Sequence, residues 1–432
     1  MWKEGDEEPA SPSARLMQSP KFNLCIISLM GYNTKIDTKL YKKCVEQTLL
    51  KHPRFSSILV SNGGNCSWRR TSVDVDNHVY EVDLDVESES VDSYASDLSK
   101  IPMDQTKPLW EIHILNVETP DAAATALFKI HHSVGDGVSM MALCHACSRS
   151  LSNPDALPAF PSPKKRKAET KRCRLMGLLV FVWRVFVVLF NTVIDIAMFV
   201  ATMVFLEDSR TPVKSTGGEE RQSRTRFVHR VVSLDDVKLV KTALNASIND
   251  VMLGVTEAGL SRYLNQRYEK GNENGLEIIK NATNSLPRNL RLRSAVVFNL
   301  RQSPTIEDLA EMMEKEELNG MWGNFIGIVL LPFTIKMEDD PLAYIRRAKA
   351  TMDRKKRSLG HKLAFVVMKL TMFLFGIKSL VVHHQSYGQK LIISIGADEK
   401  LVPNPHQLCD DVMKSLQMIK VAATKLEFSE TC

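Results

Sequence analysis

The sequence lacks most features that would announce a chemistry directly. It has no Gly-x-Ser-x-Gly elbow, so no serine is offered as a hydrolase nucleophile. Its eight cysteines, at 25, 44, 66, 144, 147, 173, 409 and 432, are scattered and form no disulfide framework, which points to a reducing compartment. The one close pair, Cys144-His-Ala-Cys147, has no second pair to complete a zinc site and reads as two small residues on a helix. A net charge of +6 is mild, and the basic residues are not interleaved with aromatics. That argues against nucleic acid as a partner and leaves an anionic ligand or membrane surface open. The acidic N-terminus (Glu4, Asp6, Glu7, Glu8) has no basic segment and apolar core of the secretory type, so the globular parts are expected in the cytosol. The one long apolar stretch, 175–206, holds no run of eighteen uncharged residues, and no repeat of solenoid period exists.

What is present is an ordinary globular balance, 44% hydrophobic and 25% charged, over 432 residues, enough for two domains or two halves. Residues 1–20 read as an N-terminal extension. Residues 21–153 read as mixed α/β, with strands near 22–30, 110–116 and 124–131, a helix over 37–51 and a hairpin around Gly63-Gly64. Residues 154–224 form a linker: prolines 154, 158, 161 and 163, a basic run from Lys164, then an apolar stretch, 175–206. Residues 225–432 are again α/β, with helices expected over 249–268, 342–352, 363–375 and 406–422.

The apolar stretch carries only two charges, Arg184 and Asp195. Asn191 and Asp195, seven and eleven residues after Arg184, fall within roughly 20° of it on a helix, giving a narrow polar stripe. Three readings stand: a spanning helix with an internal ion pair, a helix lying in the membrane interface, and a long buried core helix.

The candidate site is His131-His132-Ser133-Val134-Gly135-Asp136-Gly137, between an apolar strand and an apolar helix. Successive strand side chains point to opposite faces, so the two histidines cannot serve one centre, which weakens a metal reading. One should face a cavity and the other should pack. Gly135 and Gly137 are expected to permit tight backbone geometry and close approach of a substrate. Asp136 has two possible roles: orienting the imidazole, or binding an arginine and so fixing the turn. A base without a nucleophile suits transfer from an activated donor such as a thioester, with the base taking a proton from an attacking hydroxyl.

The heptad matches the HHxxxDG signature of the CoA-dependent acyltransferases. The wider chain resembles the plant wax ester synthase/diacylglycerol acyltransferase family through Ser11-Pro-Ser-Ala-Arg15, His52-Pro-Arg-Phe-Ser56, Pro108-Leu-Trp-Glu111, Ile248-Asn-Asp-Val251, Asn299-Leu-Arg301, Trp322-Gly-Asn324 and Pro403-Asn-Pro-His406. The resemblance implies an α/β fold of two chloramphenicol-acetyltransferase-like halves with an active-site tunnel between them, plus an apolar membrane-associated segment. It implies His132 and Asp136 as the catalytic pair, His132 the base and Asp136 chiefly structural. His131, Gly135, Gly137, Asn249, Asp250 and Arg301 are the expected supporting residues. Asn249 and Asp250 read equally as a helix cap, and Arg301 is a possible partner of Asp136. Trp110, Trp322 and Asn324 read first as packing and turn residues and second as tunnel residues.

The implied substrates are a fatty acyl-CoA and a long-chain alcohol or diacylglycerol, with membrane lipid as a partner and no cofactor. The implied location is the cytosolic face of the endoplasmic reticulum membrane, with the plasma membrane as alternative. Two halves sharing a site also imply that the apolar segment does not cross a bilayer once.

The chain departs from the family in one place. Gly376-Ile-Lys-Ser-Leu380 runs directly into Val381-Val-His-His-Gln-Ser-Tyr387, and no Ser-Asn-Val-x-Gly-Pro segment occurs. Several dozen residues of the family pattern are missing near 380. The alternative function is therefore an inactive or weakly active form that binds acyl-CoA or lipid at a membrane. His383-His384 is no second site, because position 388 is Gly where an Asp is needed.

Overall fold

The computed structural model describes residues 5–18, 24–62, 65–85, 89–150, 153, 157, 174–206, 208–213, 225–272, 284–288, 290–301, 310, 322–360, 366 and 380–431. The expected helix over 363–375 lies outside them except for Val366. The chain forms two compact units. One comprises Met1–Thr170 with Asn299–Ile326, the other Lys171–Phe298 with Gly327–Cys432.

In the first unit, β1 (Glu7–Pro9) and α1 (Pro12–Met17) precede β2 (Cys25–Tyr32) and α2 (Thr38–Gln47). The hairpin β3 (Ser57–Asn62) and β4 (Asn65–Arg70) follows, then β5 (Val79–Val82), α3 (Val91–Leu98), β6 (Trp110–Leu115), β7 (Ala124–His131) and α4 (Gly137–Ala146). The strands make two sheets, ordered β2-β7-β6-β5 and β1-β4-β3. All pairs are antiparallel except β5 with β6. The N-terminal residues are thus part of the unit rather than an appendage, since Glu7–Pro9 pairs with β4.

Every residue of β7 is buried, which explains its unbroken apolar run and places its C-terminal end on a rigid element. Lys129, the exception to that run, is fully buried but donates through Nζ to the Ile101 carbonyl at 2.7 Å. Phe55, Trp68, Trp110, Ile112, Phe128 and Ile130 form the core beneath.

The second unit contains α5 (Arg174–Val204), β8 (Thr225–Ser233), α6 (Leu234–Ala243), α7 (Ile248–Asn272), β9 (Arg291–Asn299) and β10 (Ile326–Thr334). These are followed by α8 (Leu342–Lys356), β11 (Val381–Tyr387), β12 (Lys390–Asp398) and α9 (Pro405–Thr431). Its sheets are β11-β12-β8, antiparallel throughout, and the pair β10-β9. Val255 and Leu264 of α7, Ile345 of α8, Ile393 and Ile395 of β12 and Val412 of α9 share one core. Only about a tenth of the apolar stretch of α5 is buried, so the core-helix reading does not hold.

Candidate active site

The turn 131–137 leaves the end of β7 and enters α4. The two histidines diverge as strand alternation requires. His131 is fully buried, and its Nδ1 accepts from the backbone N–H of Ser133 at 3.2 Å and lies 2.7 Å from Ser133 Oγ. Its ring proton therefore sits on Nε2. Burial, with the neighbouring His132 ring adding to it, pulls the His131 pKa down to about 4 and keeps it neutral.

His132 is only partly buried and is held by a residue 192 positions away. Asn324 Nδ2 donates to the His132 backbone carbonyl at 2.7 Å, which turns its Oδ1 toward His132 Nδ1 at 2.9 Å. An amide oxygen only accepts, so Nδ1 carries the proton and Nε2 keeps its lone pair. The adjacent histidines thus hold opposite tautomers.

Asp136 is buried and makes four hydrogen bonds. Oδ1 accepts from Ser139 N at 2.9 Å and Arg301 Nη2 at 3.0 Å, and Oδ2 from Arg301 Nη1 at 2.8 Å and Phe325 N at 2.9 Å. The bond from Ser139 caps α4. With its acceptor sites filled and a bidentate guanidinium against it, this carboxylate has no capacity left to orient an imidazole. Of the two roles open for Asp136, the geometry is that of the arginine-bound turn.

Arg301 Nη2 also donates to the Gly323 carbonyl at 2.7 Å, and its guanidinium lies 4.9 Å over the Phe325 ring. Gly323 has φ +122°, a conformation that a side chain would strain. Its carbonyl also accepts from Asp136 N and Ser139 Oγ. Trp322 Nε1 donates to the Val134 carbonyl at 2.9 Å, and Ser13 Oγ donates to the Asn324 carbonyl at 3.1 Å. The segment 322–325 therefore clamps the whole turn 131–137.

The two glycines sit in different surroundings. Neither Gly135 nor Gly137 has positive φ. Gly135 is needed for space, because a Cβ there would come within 2.8 Å of Met140 Cε and 3.1 Å of Ser139 Cβ. A Cβ on Gly137 would meet nothing, so this residue merely opens α4.

Asn249 and Asp250 lie in the second unit. Asp250 Oδ2 accepts from Ser247 N at 2.8 Å while Ser247 Oγ accepts from Asp250 N at 3.2 Å, a reciprocal capping box that starts α7. The cap is thus Ser247, not Asn249 or Asp250. Asn249 is exposed, and Asp250 Oδ1 stands 4.0 Å from Lys356 Nζ.

In the sequence Asn324 reads first as a turn residue, and its hold on His132 is not visible there. Its only signal was membership of Trp322-Gly-Asn324, which reads as a turn until its distance from His132 is known.

Residues 31–252 match the wax ester synthase/diacylglycerol acyltransferase catalytic domain. The chain belongs to the wax ester synthase/diacylglycerol acyltransferase family. The C-terminal domain of that family is matched in two pieces, 322–380 and 378–420. Wax ester synthase/diacylglycerol acyltransferase 11 of Arabidopsis thaliana is 42% identical, with 96% of this chain and 95% of that one covered. That alignment runs over 472 positions, more than the 432 residues of this chain. Wax ester synthase/diacylglycerol acyltransferase 5 of the same plant is 40% identical, with 97% and 94% covered. Among solved structures, the wax ester synthase/diacylglycerol acyltransferase of Marinobacter aquaeolei VT8 superposes with a TM-score of 0.56 at 14% identity, covering 96% of this chain and all of that one. The first condensation domain of the calcium-dependent antibiotic synthetase gives 0.55 at 12% identity, with 96% and 95% covered. These two share the fold, that of the chloramphenicol-acetyltransferase-like enzymes. The chain is an acyltransferase of this family.

Proposed function

We propose that the chain transfers a fatty acyl group from acyl-CoA to the hydroxyl of a long-chain alcohol, giving a wax ester, and to diacylglycerol, giving triacylglycerol. The observation that carries this reading is the hydrogen bond from His132 Nδ1 to Asn324, which leaves Nε2 of a partly exposed ring as the proton acceptor. As the alcohol oxygen attacks the thioester carbonyl, Nε2 takes its proton. The C–S bond then breaks, and the CoA sulfur leaves with that proton. Asn324 is a positioning residue: its Oδ1 holds Nδ1–H throughout and stays bonded when the ring becomes imidazolium. Asp136 and Arg301 hold the turn and touch no reacting atom. Acyl-CoA is a substrate, and the step requires no cofactor. Both acceptors dissolve in membrane, so the enzyme works at a lipid surface, at the cytosolic face of the endoplasmic reticulum.

The test is acyl-CoA consumption with hexadecanol by membranes carrying the chain or His132→Ala, with products separated by chromatography. Loss of about 10²- to 10⁴-fold is expected for a missing general base. Equal rates reject catalysis at His132.

A second reading rests on the match of the C-terminal domain in two pieces meeting at 378–380. We infer that a segment of several dozen residues is missing beside Leu380, where β11 now forms the edge of its three-stranded sheet. This form would then bind acyl-CoA and lipid with little or no turnover. Inserting the corresponding segment of the 42% identical relative after Leu380 separates the readings. Turnover only after insertion selects the binder, and comparable turnover without it selects the enzyme.

A further inference from the structure

We propose that α5 is a single-leaflet membrane anchor, which sinks its apolar face into lipid while Asn191, Thr192 and Asp195 stay bolted to the end of α8 and the turn after it. The proposal rests on the reading of a lipid-surface enzyme and specifies how that surface is held. Three independent features carry it.

The first is chain connectivity. Residues before α5 (Met1–Thr170) and well after it (Asn299–Ile326) fold into the same unit. Within that unit Asn324 grips His132, and Arg301 grips Asp136. Both segments must therefore lie on one side of any membrane, so the chain between them crosses an even number of times. Between 171 and 298, α5 is the one helix long and apolar enough among the described residues. The sequence of the remaining stretches there, 214–224 and 273–283, is polar and far too short to span. One candidate cannot make an even number of crossings.

The second is the polar stripe itself. Asp195 Oδ1 accepts from Arg354 Nη1 at 2.9 Å and Lys355 Nζ at 2.8 Å. Asn191 Nδ2 donates to the Arg357 carbonyl at 3.2 Å, and Thr192 Oγ1 accepts from Leu359 N at 2.9 Å. These bonds tie one face of α5 to the cationic end of α8. The free part from Leu178 to the first bolt at Asn191 is about 20 Å long at 1.5 Å per residue, short of the ~30 Å hydrocarbon core. A full crossing would drag Arg354, Lys355 and the end of α8 into hydrocarbon.

The third is what the outer face offers. Val182, Trp183, Phe186, Phe190 and Val193 are each more than half exposed, and the rings of Trp183, Phe186 and Phe190 stack in a row at 5.7 and 6.1 Å. Exposed Lys356 and Arg357 flank the bolt, and six basic residues from Lys164 to Arg172 precede the helix, which Arg174 opens. Apolar side chains bordered by cations complement an anionic leaflet, where acyl tails take the rings and headgroups take the charges.

The experiment uses the full chain. Protease sites are placed before Lys164 and after Glu220, and the chain is bound to sealed microsomes. Cleavage at both sites without detergent is expected, and protection of either one overturns the proposal. In parallel, sedimentation is measured with phosphatidylcholine vesicles with and without phosphatidylserine. Binding should strengthen with phosphatidylserine, weaken with added salt, and fall at least about tenfold in the triple variant Trp183→Ser, Phe186→Ser, Phe190→Ser. None of these three residues belongs to a core cluster, so the fold is spared. Unchanged vesicle binding of the variant, or its conversion from dimer to monomer with vesicle binding retained, would assign the face to a second copy and reject a lipid anchor. All these readouts are independent of turnover. A chain that binds vesicles but makes no ester refutes the acyl-transfer reading and leaves the anchor standing.

Discussion

At the residue scale, His132, the proposed base, is fixed by groups that come from far along the chain. Asn324 spends both ends of its amide on His132, one on the ring and one on the backbone. Asn324→Ala removes both bonds and lets the ring rotate and exchange tautomers. The expected result is a fall in kcat of about 10- to 100-fold with KM little changed, because the lost bonds hold the base rather than the substrate. Asn324→Asp keeps an acceptor for Nδ1–H but adds a charge that favours imidazolium. The acid limb of its kcat/KM profile should move to higher pH, a shift that a purely structural defect would not produce. Arg301 is expected to act through stability instead. Both side chains of the Arg301–Asp136 pair are almost fully buried, so Arg301→Met strands a carboxylate in the interior. About 3–5 kcal/mol of unfolding free energy should be lost, read by urea denaturation, and the double variant with Asp136→Asn should recover part of it.

At the element scale, secondary structure was legible where burial is simple. β7 reads as a strand because every position is buried, and α8 reads as a helix because Leu342, Ile345, Ala348 and Met352 recur on one face. β1 and β5 were not legible, being three and four residues long and held by their neighbours rather than by their own pattern. The site was half legible. The heptad declares itself by composition, but the clamp at 322–325 is assembled from a distance and no local spacing shows it. Close helix packing was likewise invisible. Gly259 of α7 lies so near α9 that a Cβ would come within 2.5 Å of Val412 Cγ2 and 2.7 Å of Val412 Cα. Gly259→Ala gains about 1 kcal/mol of helix propensity but forces the helices apart. Because backbone as well as side chain blocks the new methyl, the net outcome should be a loss of about 1–3 kcal/mol in urea denaturation.

At the scale of the whole molecule, three buried histidines tie stability to pH. Burial holds His52 and His78 below the usual imidazole range, with Arg54 and Arg70 adding to the effect at His52 and a bond to the Trp110 carbonyl partly opposing it at His78. His131 lies at about 4. In the unfolded chain all three take protons near pH 6.5, so between there and pH 4 the unfolded state binds more protons than the folded one. Stability is then full above about pH 6.5 and drains away as pH falls. For fully buried His131 alone the loss approaches roughly 3 kcal/mol at its lower limit. Glu257 works in the opposite direction, since burial pushes its carboxyl up and the folded state then takes its proton first, but it is one group against these three and against His383 and His384, which burial also lowers. The urea midpoint should be flat from pH 8 to 7 and decline steadily from 6.5 to 5. His131→Asn supplies an amide oxygen near the position of the Nδ1 acceptor without a titrating ring, and the decline should become shallower by about one proton. A midpoint that stays level down to pH 5 would mean that these rings are hydrated in the folded chain and that the packing around the catalytic turn is looser than its hydrogen bonds imply.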